Sequence, residues 1–165
     1  MSRLKKEFIT NDFKQTQKLG ELLAMELKGG EVICMEGDLG SGKTTFTQGL
    51  LKGLKIKGPY TSPTFVVMKE YTREISNSKK QKSNKFQISN KIENSKSQIQ
   101  NIYHIDAYRI NERDLQNLGW EEIIANKNNV VIVEWSERVK KILPKNVLKI
   151  KFEWVDENRR KITFV

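Results

Sequence analysis

The sequence predicts an α/β fold, one domain with a mostly parallel central sheet flanked by helices and closed by a C-terminal β-hairpin. Three observations carry that expectation. Val32-Ile33-Cys34-Met35 and Val130-Val131-Ile132-Val133 are short, continuously apolar runs, the pattern of strands covered on both faces. A glycine-rich stretch, 37–42, separates the first run from a helical pattern. Residues 148–154 and 160–165 are strand-like and flank the turn formers Asp156-Glu157-Asn158.

The remaining elements follow in order. Thr10-Asn11-Asp12 offers N-cap oxygens ahead of a helix with Leu19, Leu22, Leu23 and Leu27 on one face, stopped by Gly29-Gly30. A second helix runs from Lys43 to about Leu54, with Phe46, Leu50, Leu51 and Leu54 on one side. Gly58-Pro59 and Ser62-Pro63 mark a loop, and 64–71 reads as a strand. Residues 102–106 form an apolar run ending in an acid, and 114–119 and 120–126 read as short helices. Ser136 stands where a cap would open a helix to Leu143, which Pro144 ends.

A chain of 165 residues suits one domain with its own core. Cys34 is the only cysteine, so it forms no internal disulfide and no cysteine-based zinc site; it reads as a small core residue. The first residues, Met-Ser-Arg-Leu-Lys-Lys-Glu, hold no apolar stretch suited to a signal peptide or a span, so a cytoplasmic protein with no membrane partner is expected. The net charge of +10 points to an anionic partner or to a solvated basic surface.

About three-quarters of positions 74–101 are Lys, Ser, Asn or Gln. So few apolar side chains do not offset the cost of ordering the chain. The segment reads as a flexible, low-complexity insertion between two strands. It also carries much of the positive charge, which weakens the charge as evidence about the folded part.

Gly37-Asp38-Leu39-Gly40-Ser41-Gly42-Lys43-Thr44 matches G-x-x-x-x-G-K-[ST] in full, with a strand before it and a helix after it. By average residue usage, a chance match in this length arises about once in two hundred chains. The pattern describes a phosphate-binding loop, and the fold becomes P-loop NTPase-like. Glycines let successive backbone amides converge on a β-phosphate. The helix start adds its dipole and unsatisfied donors. Lys43 is expected to reach the β- and γ-phosphates and the Thr44 hydroxyl to ligate Mg²⁺.

Such a site needs a carboxylate at a neighbouring strand end. Glu134 follows the uniformly apolar 130–133 run and is assigned to Mg²⁺. Asp106 is assigned to the γ-phosphate side, where it orients the attacking water; the reverse assignment stays open. His104, the single histidine, reads as a structural side chain and not as a base. Trp135 reads either as a core anchor or as an aromatic lid. No Asn-Lys-x-Asp segment is present, which favours ATP over GTP.

Gly-Asp-Leu-Gly-Ser-Gly-Lys-Thr-Thr at 37–45, Ser-Pro-Thr-Phe at 62–65, His-Ile-Asp-Ala-Tyr-Arg at 104–109 and Val-Glu-Trp at 133–135 resemble, in type and order, the TsaE (formerly YjeE) family. The resemblance spans the chain except 72–101. It implies a small P-loop ATPase required for threonylcarbamoyladenosine at position 37 of tRNAs reading ANN codons, working with the TsaB–TsaD pair and near tRNA through that complex. It implies that Leu39, Gly40, Ser41, Gly42, Lys43, Thr44 and Thr45 contact the nucleotide, and that Thr44 and Glu134 hold Mg²⁺. Lys43, Asp106 and Thr64, the last in a switch-like loop, are then the catalytic set, with Trp135 serving the site. Phe13 and Arg159 match positions near the adenosine and phosphates. The insertion departs from the family pattern. Rival readings are a small-molecule kinase, a nucleotide-gated binding module with little catalysis, and a basic RNA-binding protein.

Overall fold

A computed structural model describes residues 5–73 and 98–165. It holds β1 (Lys6–Thr10), α1 (Phe13–Glu26), β2 (Val32–Glu36), α2 (Lys43–Gly53), β3 (Met68–Thr72) and β4 (Asn101–Asp106). There follow α3 (Glu112–Asn117), α4 (Trp120–Ala125), β5 (Asn129–Glu134), a 3₁₀ segment (Ser136–Ile142), β6 (Leu148–Trp154) and β7 (Arg160–Phe164).

The strands form one sheet in the order β1-β7-β6-β2-β5-β4-β3. Its centre, β6-β2-β5-β4, is parallel, and antiparallel strands extend it at both edges. The expected C-terminal hairpin is therefore built into the sheet: β6 runs beside β2 and β7 carries β1.

Strand alternation divides the core into two layers. Ile33, Met35, Val130 and Ile132 face α1 and α2, where Phe46, Leu50 and Leu51 are buried against them. Val32, Cys34, Val131 and Val133 face the other side, covered by Leu115, Trp120, Ile123 and Val139. Cys34 is fully buried, and burial pushes its thiol up to about 12, so it acts as an inert core side chain. Asp12 caps α1, accepting from the Gln15 amide at 2.7 Å.

Three sequence expectations need correction, and one strand went unread. The strand expected over 64–71 begins only at Met68; before it, Val66 and Val67 donate back to the Pro63 carbonyl and Val67 has φ 66°. Ser136 does not cap a helix: Trp135 holds the cap position and buried Ser136 opens the 3₁₀ segment. Residues 74–97 of the expected insertion lie outside the described residues, but its last four belong to the fold, since Ile99 is buried in the main core and Asn101 starts β4. Finally, β1 has no counterpart in the sequence reading. Among the described residues, no helix is long and apolar enough to cross a membrane.

Candidate functional site

The loop after β2, Asp106 at the end of β4, Glu134 at the end of β5 and the turn after β6 gather at the carboxyl edge of the parallel strands. Side chains from all four line one cleft of about 510 Å³. Open α/β sheets place their ligands at this edge.

Close packing dictates the loop glycines. A Cβ on Gly37 would lie 2.3 Å from the Phe152 carbonyl of neighbouring β6, and φ there is 142°. Gly42 has φ 103° at the start of α2, which carries no side-chain cap. The first turn of α2 therefore reaches the cleft with its amides uncapped by a side chain, an arrangement that suits an anion.

Lys43 is only 4 % exposed. Its Nζ donates to the Gly37 and Asp38 carbonyls, the latter at 2.8 Å, and lies 3.9 Å from the centre of a Trp135 ring. Burial pulls its amine below the ordinary lysine range, while the charges of Glu134, Glu137, Asp106 and Asp38 oppose that shift. Burial also raises the Glu137 carboxyl, with the Lys43 charge pulling the other way.

Asp106 and Glu134 stand opposite each other in the parallel register of β4 and β5, so both side chains leave one face of the sheet. Glu134 Oε2 accepts from the Thr44 hydroxyl at 2.9 Å. Asp106 Oδ2 accepts from Thr64 at 2.7 Å and Oδ1 from the Tyr108 amide at 2.9 Å. A hydroxyl and a carboxylate side by side form a hard oxygen donor set that fits Mg²⁺, which binds through few protein ligands and keeps waters. No group of three or more His, Cys, Asp or Glu with metal-site geometry occurs among the described residues.

Eleven residues assigned from sequence share this cleft: Leu39, Gly40, Gly42, Lys43, Thr44 and Thr45 from the loop and α2, with Phe13, Thr64, Asp106, Glu134 and Trp135 around them. Ser41 does not line it; its side chain is fully buried under the loop. Arg159, expected near the phosphates, does not line the cleft. Its Nε pairs with Asp156 at 2.6 Å, and the next residue, Arg160, lines the cleft, donating from Nε to the Gly40 carbonyl at 2.9 Å. Arg160 opens β7, whereas Arg159 lies in the turn before it. Trp135 packs on the second core layer and also forms cleft wall, 4.8 Å from the Tyr108 ring. Tyr108 and Arg109 also line the cleft without having been singled out, although the motif at 104–109 contains both.

Fold and cleft define the class: an α/β domain with a glycine-rich strand–loop–helix unit at the carboxyl edge of its parallel strands. The model of the family "Threonylcarbamoyl adenosine biosynthesis protein TsaE" matches residues 10–78 and 73–162, and the chain belongs to the TsaE family. It is similar to the tRNA threonylcarbamoyladenosine biosynthesis protein TsaE of Aquifex aeolicus, 37 % identical over 96 % of this chain and 95 % of that one. The Nostoc protein of the same name is 36 % identical over 90 % of this chain and 78 % of its own. A crystal structure of YdiB from Bacillus subtilis superposes with a TM-score of 0.66 at 28 % identity, covering 97 % of this chain and 84 % of that one.

Proposed function

We propose that this chain is a Mg²⁺-dependent ATPase that supports formation of threonylcarbamoyladenosine at position 37 of tRNAs reading ANN codons by ATP-driven action on a TsaB–TsaD complex. The family membership supports the pathway. The observation that carries the chemistry is the Thr44 hydroxyl held 2.9 Å from the Glu134 carboxylate, at the first turn of α2 and beside buried Lys43.

In this reading the uncapped amides of α2 and the glycine loop bind the β-phosphate. Lys43 exchanges the carbonyls of Gly37 and Asp38 for phosphate oxygens. Thr44 and Glu134 hold Mg²⁺, which when bound neutralises charge on the β- and γ-phosphates. Asp106, fixed by Thr64 and the Tyr108 amide, keeps lone pairs free to orient a water at the γ-phosphate. Phe13 and Trp135 wall the nucleotide side of the cleft. The expected setting is cytoplasmic, with tRNA near the chain through the complex.

Calorimetry with ATP, ADP and GTP in the presence of magnesium tests nucleotide capture, and absence of heat from all three refutes it. Phosphate release measured with and without TsaB–TsaD tests the partner-dependent ATPase. An acceptor-dependent release that ignores TsaB–TsaD would instead make the chain a kinase.

A further inference from the structure

His104 lies in β4, two residues before Asp106 on the same face of the strand, and is 1 % exposed. Its Nε2 is 2.8 Å from Glu134 Oε1. A carboxylate only accepts, so this nitrogen carries a hydrogen and donates it. The two oxygens of Glu134 thereby acquire different surroundings. Oε1 faces the core, bonded to His104 and, at 3.5 Å, to Thr47; Oε2 faces Thr44 at the cleft. Thr47 is the weaker anchor, since its hydroxyl sits closer, at 3.1 Å, to the Lys43 carbonyl.

The other ring nitrogen, Nδ1, is buried without a partner among the described residues. Such a group costs about 1–3 kcal/mol, a cost that an apolar side chain filling the same space avoids. The polar contact the ring makes is the one from Nε2 to Glu134. The terminal torsion of a glutamate is broad, so an unanchored Glu134 carboxylate samples many orientations. Hydrogen-bonded partners commonly orient ligating carboxylates and tune the affinity of the metal they hold.

We propose that His104 is a positioning residue for the cation site: through Nε2–H it fixes the Glu134 carboxylate with Oε2 turned to the cation shared with Thr44. This rests on the reading of Glu134 as the magnesium-holding acid. The full chain and its variants H104L, H104N and H104Q, each checked for cooperative thermal unfolding, are titrated with Mn²⁺ by electron paramagnetic resonance in saturating ADP. ADP affinity is measured separately in EDTA. Glutamine carries an amide N–H about as far out as Nε2; asparagine does not reach. H104L and H104N are expected to bind Mn²⁺ about 10-fold or more weakly, and H104Q within about 3-fold of the parent, with metal-free ADP affinity within about twofold throughout. If H104L does not fold, the contrast between H104Q and H104N carries the test. Parent-like Mn²⁺ affinity in folded H104L or H104N overturns the proposal, and so does a loss in H104Q as large as in H104N. Should the unsubstituted chain itself take up no Mn²⁺ with ADP, the magnesium reading of Glu134 falls, a result distinct from normal binding that ignores His104.

Discussion

The Lys43 ammonium lies 3.9 Å from the centre of a Trp135 ring while donating to the Gly37 and Asp38 carbonyls. The ammonium is thus partly neutralised by dipoles and by a ring face. These contacts offset part of the burial cost without removing it, because the amine is still pulled below its ordinary range.

Lys43→Met should therefore stabilise the nucleotide-free protein while abolishing ATP binding. A gain of about 1 kcal/mol, or roughly 2–4 °C in melting temperature, is expected for a chain of this size. The sign with pH follows from linkage. Between the lowered folded pKa and the ordinary lysine value the unfolded chain binds more protons, so the stability of the parent rises with pH across that alkaline window. The gap to Lys43→Met then narrows. Melting curves of both proteins from neutral to alkaline pH measure it; a variant that melts lower than the parent at neutral pH refutes the expectation.

Asp106 and Glu134 share one face but not one set of partners, and in the proposed reading that difference gives them separate roles. Glu134→Ala removes the carboxylate beside Thr44 and should weaken Mg²⁺-dependent ADP binding about 10- to 100-fold, with metal-free binding little changed. Asp106→Ala should leave ATP bound yet lower turnover by about 100-fold, the usual weight of one positioned acid or base. Paired calorimetry and hydrolysis assays decide between the assignments, and the opposite pattern reverses them.

These two acids were legible in the sequence because each closes an apolar run, and a buried strand delivers its last residue to the sheet edge. The glycine loop was legible for a similar reason: its chemistry is local. What the sequence hid depends on pairing. β1 has polar and apolar residues without a buried run, four of its five positions are exposed, and it becomes a strand only by pairing with β7. Phe65 and Val66 have strand propensity, but after Pro63 the chain turns and leaves both exposed. Ile99 closes a polar stretch and fills the main core, a placement that one apolar residue in isolation does not announce. The arginine at the cleft shows the same limit: the sequence points to Arg159, and it is Arg160 that lines the cleft. Arg160 pairs with Trp154 at the start of β7 and reaches the Gly40 carbonyl, a placement set by pairing and not by the local sequence.

That placement yields its own prediction. Arg160 bridges the glycine loop and the hairpin turn, donating to Gly40 O from Nε and to Asp156 O from Nη1 at 2.7 Å. Arg160→Ala should weaken ADP affinity about 10-fold, the weight of one charge-assisted contact. Arg159→Ala removes an exposed pair with Asp156 and should change affinity less than about twofold. Equal effects in calorimetry would place both arginines, or neither, at the nucleotide.

The walls of the cleft also depend on a contact far from it. α1 supplies Phe13 and α2 supplies Lys43 and Thr44, and the two helices meet backbone to backbone. A Cβ built on Gly49 would stand 1.9 Å from the Gln17 carbonyl, and one on Gly20 2.3 Å from the Phe46 carbonyl. Alanine is the better helix former by about 1 kcal/mol, which favours Gly49→Ala in isolation. Both atoms in the clash are fixed by their helices, so no rotamer change relieves it and the helices must separate. Overpacking of this kind costs about 1–3 kcal/mol, and with a contact this short the upper end outweighs the propensity gain. Gly49→Ala should therefore lower the melting temperature by several degrees, at roughly 2–4 °C per kcal/mol. Because the separation displaces Phe13 relative to Lys43, ADP affinity should fall with it, although Gly49 lies about 1.7 turns from Lys43 along α2. A Gly49→Ala variant that melts at or above the parent would mean that the two helices carry no such close approach.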